Sequence, residues 1–331
     1  MKFSVVIPVY NGEATLRGAV ETLRSQDFAD WEAVLVDDGS RDGTPDIAAE
    51  MARGDSRIRV FRQANAGVSV ARNRGLAEAR GDWIAWLDAD DAYVPGTLAR
   101  VAALVDAHAG CSAFHFPCLE FSGDGVACRP CPSPAHERFG GRDFSGADAF
   151  RILYADAGTA ALHWQPWRFV HRRDALPRFR PGVIHEDVDV LPLQMAGLPR
   201  VHVARDPFYV YRPARAGAAT EFFTPRRVRD ILDVTAHVLS DLDAAPLPAD
   251  SKRGFRATLA YNLFGFWRAT PHFPEPDRSE LLDAFAAHPE WLLAIAAPPR
   301  TAWLKRLLLR MLGPRRAAVL LASLERRPRI P

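Results

Sequence analysis

Lysine is scarce in this chain: of 42 basic side chains, only Lys2, Lys252 and Lys305 are lysines. Recognition of a diphosphate or a carboxylate therefore falls to arginine, whose planar fork suits both. Cysteine is scarce too, with four residues, Cys111, Cys118, Cys128 and Cys131, inside a stretch of 21. Asn11, Glu13 and Arg17 interrupt the N-terminal apolar run and no small-x-small cleavage site follows, so no signal peptide is read and the thiols are expected to stay reduced. Cys128-Arg-Pro-Cys131 has the spacing of a zinc-binding pair but lacks a second close pair; small thiols in a hairpin are the other reading. No run reaches the roughly 18–20 apolar residues that cross a bilayer. A glycine-rich phosphate loop is missing as well, since Pro8-Val-Tyr-Asn-Gly12 is not one. That absence argues against a dehydrogenase and a sugar nucleotidyltransferase.

What is present is the composition of a soluble globular protein, 48% hydrophobic and 25% charged over 331 residues. The length suits about two domains, or one extended α/β unit with an appendage. The net charge of +2 conceals a division. Residues 301–331 hold eight basic side chains against Glu325, and the remainder is acidic.

Short β-branched runs at Ser4–Tyr10, Trp31–Val36 and Arg57–Arg62, and a fourth at Trp83–Asp91, alternate with helical patterns. This rhythm predicts a parallel α/β sheet with ligands at the carboxyl ends of its strands. Asn11 is expected to cap the first helix, and Ser40 or Asp42 the second. A hairpin is expected from Ser112–Phe121 and Val126 onward, a polar loop at Gly140–Gly146, a helix at Val183–Gly197 and one irregular strand at Val201–Tyr211. From Thr224 the pattern is helical.

The first four strand ends deliver Tyr10-Asn11, Asp37-Asp38, the loop Asn65–Asn73 and Asp88-Ala-Asp90 to one rim. Carboxylates as close as Asp88 and Asp90 repel unless a cation holds them, and hard oxygen ligands suit Mg²⁺ or Mn²⁺; the alternative is a solvated Asp-rich turn. Asp38 is either a turn residue or an acceptor for a base imide N–H. Tyr10 is either core or a stacking surface. Arg72 is either a helix-surface cation or a partner for a diphosphate.

In this order and spacing, SVVIPVYNGEATL, VLVDDGSRDGT, NAGVSVARNRGL and WIAWLDADD resemble the family 2 glycosyltransferases. The resemblance is specific over residues 4–97 and looser through Trp167–Arg212, where Pro181-Gly-Val-Ile-His-Glu-Asp187 is similar to the family's base-bearing segment. It implies a GT-A-type, mostly parallel Rossmann-like sheet flanked by helices, here with a C-terminal helical extension. It implies an inverting transferase that takes a nucleotide-sugar, usually a UDP-sugar, with Mn²⁺ or Mg²⁺. Pro8, Tyr10 and Asp38 would line the base pocket and Arg72 would lie near the diphosphate. Asp88 and Asp90 would form the DxD pair, with Asp90 the metal contact and Asp88 on ribose or metal. Asp187 would be the general base and Glu186 its neighbour. The chain departs from the family at Trp167-Arg168-Phe169, and His185 adds a titratable group before the acids.

The expected organisation is a nucleotide-binding half at 1–100, an acceptor-binding half at 101–220 and a helical region at 221–331. The acceptor would be a glycan or lipid-linked saccharide, with no nucleic acid as partner. Ala302–Leu312 places Trp303, Leu304, Leu307, Leu308 and Met311 largely on one helical side, flanked by Lys305, Arg306 and Arg310. Two readings stay open there, an in-plane helix on an anionic membrane and a helix packed on the domain. They correspond to a cytoplasmic protein with or without peripheral attachment to the inner face of the membrane. The competing reading of the whole chain is an inactive nucleotide-sugar-binding scaffold.

Overall fold

A computed structural model describes residues 1–121, 128–131, 133–156, 164–175, 178–213, 222–294 and 302–324. The turn expected at Ser122–Gly125, the flank of the C-terminal helix at 295–301 and the basic residues Arg326, Arg327 and Arg329 lie outside the described residues. The chain forms two units, residues 1–149 with 163–213, and residues 150–162 with 214–331.

Phe3–Val9 (β1) and Trp31–Asp37 (β2) are buried at every position, as a central parallel sheet covered on both faces requires. Ile58–Arg62 (β3) and Trp83–Trp86 (β4) complete the parallel set, giving the order β3-β2-β1-β4 with its switch point between β1 and β4. Pairing between β1 and β4 ends at Val6 with Trp86. Pro8, which has no N–H to donate, falls two residues beyond this last pair, so the ladder loses nothing where the strands part.

Helix Leu16–Arg24 buries Leu16, Ala19, Val20 and Leu23, the 3.6-residue stripe legible in its sequence. Asn11 does not cap it. Asn11 adopts φ 52° and accepts from Arg41 N at 2.9 Å, while Thr15 takes the cap position. Asparagine tolerates this left-handed backbone, and its short amide ties the first strand end to the second. Helix Val68–Glu78 lies so close to β1 that a Cβ on Gly75 would stand 2.3 Å from Val6 Cγ1. Gly75→Ala is expected to cost about 1–3 kcal/mol by overpacking, read as a lower urea midpoint at unchanged m.

Beyond β4 the sheet turns mixed. Phe169–Arg172 pairs antiparallel with β4 and with Ala113–His115, which pairs parallel with Val201–Val203, and Arg142–Phe144 closes the edge antiparallel. In chain order, Ala92–Tyr93 is β5, Ala113–His115 β6, Cys118–Phe121 β7, Cys128–Pro130 β8, Arg142–Phe144 β9, Phe169–Arg172 β10, Val201–Val203 β11 and Tyr209–Tyr211 β12. A second sheet has the order β5-β12-β7-β8.

Three expectations are corrected here. The run after Trp86 leaves the strand, so the carboxylates sit on a turn. Val201–Tyr211 is two strands in two sheets, Val201–Val203 and Tyr209–Tyr211, with Pro207 in the break between them. Gly140–Gly146 contains β9, too short and polar to stand out as a strand. The expected hairpin is β7–β8, and β6 joins the main sheet because the chain breaks at Phe116-Pro117.

The second unit is helical. Its long helices are Pro225–Ala244, opened by Thr224 Oγ1 accepting from Arg227 N at 3.3 Å, Ala249–Ala269 and Ala302–Leu324. The last is broken at Gly313, φ 71°. Leu309 is buried, whereas Leu307, Met311, Val319 and Leu320 are exposed. Among the described residues no helix is long and apolar enough to cross a membrane.

Candidate active site

The second strand ends in two carboxylates with separate duties. Asp37 accepts from Ser40 N at 2.9 Å and pairs with Arg62 at 3.1 Å, closing the turn. Asp38 is buried and accepts from Gln63 Nε2 at 2.8 Å, Ala66 N at 3.0 Å and Gly67 N at 2.8 Å. These fill three of its roughly four acceptor positions and bind loop 63–67 to the strand end. Gly39, at φ 75°, is required there: a Cβ would stand 2.7 Å from Asn65 N. Pro8 is buried in β1, and the Tyr10 ring is 47% exposed at its end, available as a stacking face rather than consumed by the core.

Helix Val68–Glu78 presents Ser69, Arg72 and Asn73 on one face, at the i, i+3, i+4 spacing that brings side chains together. All three reach the segment carrying the acid pair. Ser69 Oγ donates to Val183 O at 3.2 Å. Asn73 exchanges two bonds with Phe179, donating to its carbonyl at 2.7 Å and accepting from its amide at 2.8 Å. Arg72 donates through Nη1 to Glu186 Oε1 and lies 3.3 Å from Asp88 Oδ1 through Nη2. Its guanidinium is buried against the rings of Phe179 and Trp86, at 5.6 and 6.0 Å. Arg72 is thus an internal cation shared by the two acidic segments, not a surface one.

Asp187 begins helix Glu186–Gly197, with His185 at its cap position. Arg180 clamps Asp189 with two bonds of 3.0 and 3.1 Å, fixing the preceding loop to the helix. Burial raises the Glu186 carboxyl against the pull of Arg72. Burial, with the charge of Glu186, pushes Asp187 up to about 7, although Val188 N donates to it at 2.8 Å. A carboxyl poised near neutrality accepts a proton far better than an ordinary aspartate. Burial works against ionisation of Arg72, but the carboxylates of Glu186, Asp88 and Asp187 outweigh it and raise its pKa.

Asp88 and Asp90 are half-buried on the turn after β4. They offer oxygen ligands only, the donor set of a hard divalent cation. Asp91 turns away from them. It is buried, accepting from Tyr209 Oη at 2.8 Å and from Arg212 N at 2.7 Å, while the same Tyr209 hydroxyl accepts from Asp88 N at 3.1 Å. Desolvation and the neighbouring charges of Asp88 and Asp90 raise Asp91 to about 8. Sequence reasoning left this residue without a role; its signal was the third carboxylate in the run, legible only once β12 stands beside it. Arg212 contributes its backbone here, its guanidinium resting 4.6 Å from the Phe121 ring. Trp167 stacks on Tyr209 at 4.6 Å and on Tyr211 at 5.6 Å, and the adjacent Arg168 is buried on Gln165.

A Rossmann-like half-sheet with a nucleotide-type rim, extended by antiparallel strands and carrying two acidic segments, defines a GT-A-type glycosyltransferase fold. The N-terminal unit of TarS from S. aureus, solved with UDP-GlcNAc, matches it with a TM-score of 0.69 at 21% identity, covering 97% of this chain and 89% of that one. The mannosyltransferase PcManGT from Pyrobaculum calidifontis, solved with GDP-Man and Mn²⁺, matches with a TM-score of 0.54 at 19% identity, covering 98% and 86%. Residues 4–119 match the Glycosyl transferase family 2 model. The uncharacterized glycosyltransferase YibD of Escherichia coli is 33% identical over 197 residues, 56% of this chain and 54% of its own. The chain spans about half or less of the length of the curated relatives it matches.

Proposed function

We propose that this protein is an inverting transferase that moves a sugar from a UDP-sugar to a hydroxyl of a glycan or lipid-linked saccharide. The observation that carries this is Arg72, whose single buried guanidinium joins Asp88 to Glu186. The donor-side and acceptor-side acids are thereby parts of one site.

Tyr10 would stack on the base, and the remaining acceptor position on Asp38 would take its imide N–H. Asp88 and Asp90 would hold Mn²⁺ or Mg²⁺, which offsets charge on the departing diphosphate. Asp187 takes the proton of the acceptor hydroxyl. The hydroxyl oxygen bonds to the anomeric carbon as the bond to the diphosphate breaks, and the electron pair leaves with the nucleoside diphosphate. Attack from the face opposite the leaving group needs one base and no covalent carboxylate intermediate, which is inversion. The bound Mn²⁺ of PcManGT and the UDP-GlcNAc of TarS are in keeping with these assignments.

Nucleotide release measured over a panel of UDP- and GDP-sugars with Mn²⁺ tests this. Turnover with one UDP-sugar is expected, abolished by a chelator and lowered by orders of magnitude in Asp90→Asn. A protein that binds a nucleotide-sugar but never turns it over, with Asp90→Asn behaving alike, is the inactive scaffold instead.

For the C-terminal helix we propose the membrane-surface reading, because Leu307 and Met311 are 43% and 72% exposed beside Arg306 and Arg310. Co-sedimentation with anionic vesicles is expected, weakened by added salt and lost in Leu307→Asn/Met311→Asn. Equal binding by the double variant rules the surface out.

A further inference from the structure

Asp143, on the edge strand β9, gathers more partners than a surface carboxylate needs. His202 Nδ1 lies 2.7 Å and His108 Nδ1 3.0 Å from its Oδ1. The Cys111 thiol donates to the same carboxylate, and Arg200 Nη2 lies 3.3 Å from Oδ2. The two imidazole centroids are 4.1 Å apart. One ligating atom from each of His108, Asp143 and His202 falls within 4.8 Å of the others.

The topology explains the convergence. Asp143 is the register partner of His202 in the β9–β11 pair, so both side chains leave the same face. His108 ends helix Thr97–Ala107, and Cys111 N donates back to its carbonyl at 2.8 Å. β11 stands three strands from β4, roughly 14 Å at the usual strand spacing of about 4.8 Å, so this cluster takes no part in the chemistry at Asp88 and Asp187.

We propose that His108, His202 and Asp143 form a zinc site. Two imidazoles and a carboxylate match the donors of a tetrahedral site with three protein ligands and its fourth position open to water or a further ligand. The two nitrogen donors disfavour the hard cations expected at Asp88 and Asp90. Arg200 flanks Oδ2, which His108 Nδ1 also approaches at 3.1 Å, and Oδ1 is the oxygen nearest both rings; such outer partners orient ligands. The present contacts of 2.7 and 3.0 Å are a few tenths shorter than the roughly 3.3–3.4 Å edges implied by bonds of about 2.0–2.1 Å. Entry of the ion therefore asks only a small opening. An open cavity of about 700 Å³, lined by Arg100, Leu104, His108, Phe116, His202 and Phe208, provides the approach. The ion would pin edge strand β9, which otherwise holds by three residue pairs, to β11 and to the end of the helix.

The test uses the full chain, stripped with a chelator, reloaded with zinc chloride and assayed by atomic emission. An Asp90→Asn background removes binding at the other acidic pair. One zinc per chain and a raised Tm are expected. Cobalt in place of zinc should give visible bands of tetrahedral Co²⁺ that weaken in His108→Ala. His108→Ala, whose parent side chain is 27% exposed, should fold by circular dichroism. Its zinc affinity should fall by more than the roughly 10–100-fold that outer partners are worth. Failure of the stripped protein to take up zinc, or zinc and cobalt binding unchanged in His108→Ala, overturns the site. The cluster is then a hydrogen-bonded ring around Asp143 only.

Discussion

Asp187→Asn is expected to lower kcat by roughly 10²–10⁴ while leaving nucleotide affinity in place. The amide is nearly isosteric, so the helix start and the Arg72–Glu186 pair survive, and only the proton acceptor is lost. The pH profile supplies a second readout. Because burial pushes Asp187 up to about 7, the competent carboxylate is fully present only above that pH. The wild-type rate should fall about tenfold per unit below it, and this limb should vanish in Asp187→Asn. The sign for stability is opposite: a folded-state pKa raised above the unfolded value favours the fold at low pH and loses that contribution as pH rises through about 7. Under the proposed role, the position trades stability for a poised base. A variant that keeps its kcat, or an unchanged acid limb, shifts the role to another group.

Arg72→Met should be the most destabilising single change in the site, costing about 3–5 kcal/mol of unfolding free energy at neutral pH. Methionine fills much of the arginine stem but leaves buried Glu186 without its cation. Glu186 would then fold with a raised pKa, so the penalty is fully felt above that pKa and shrinks as pH falls toward the unfolded carboxylate range. Urea denaturation at several pH values separates this from lost packing, which is independent of pH. A small penalty, or one flat with pH, means that the guanidinium is not the counter-charge that the geometry makes it. Turnover should fall as well, since the same cation places both acidic segments.

The rim of strand ends was legible because β-branched runs ending in aspartate leave little choice of element or end: β1, β2 and β4 deliver Tyr10, Asp38 and Asp88 to the carboxyl ends of the sheet. Legibility faded where elements are short or partners distant. β9 is three polar residues that pair only because β11 presents an edge, and no local pattern announces that. The single strand read across Val201–Tyr211 divides after Val203, and the proline at 207 marks an irregularity without saying that the two pieces join different sheets. Arg72 is placed near the diphosphate by the scarcity of lysine and by the resemblance, neither of which names an internal partner for it. Its principal partner, Glu186, is 114 positions away and becomes visible only in three dimensions. The cysteines misled in another way: the CxxC spacing drew attention to Cys128 and Cys131. Cys128 is exposed, whereas Cys111, the one farthest from the pair in sequence, is buried next to Asp143.

The Asp38 cradle has a further consequence, in entropy. Three hydrogen bonds from residues 63–67 hold that loop before any ligand arrives. The ordering of its backbone, of order 1–2 kcal/mol per residue, is charged to folding rather than to association. A ring that reaches this rim meets a wall already set, so even a weak edge contact can decide its orientation.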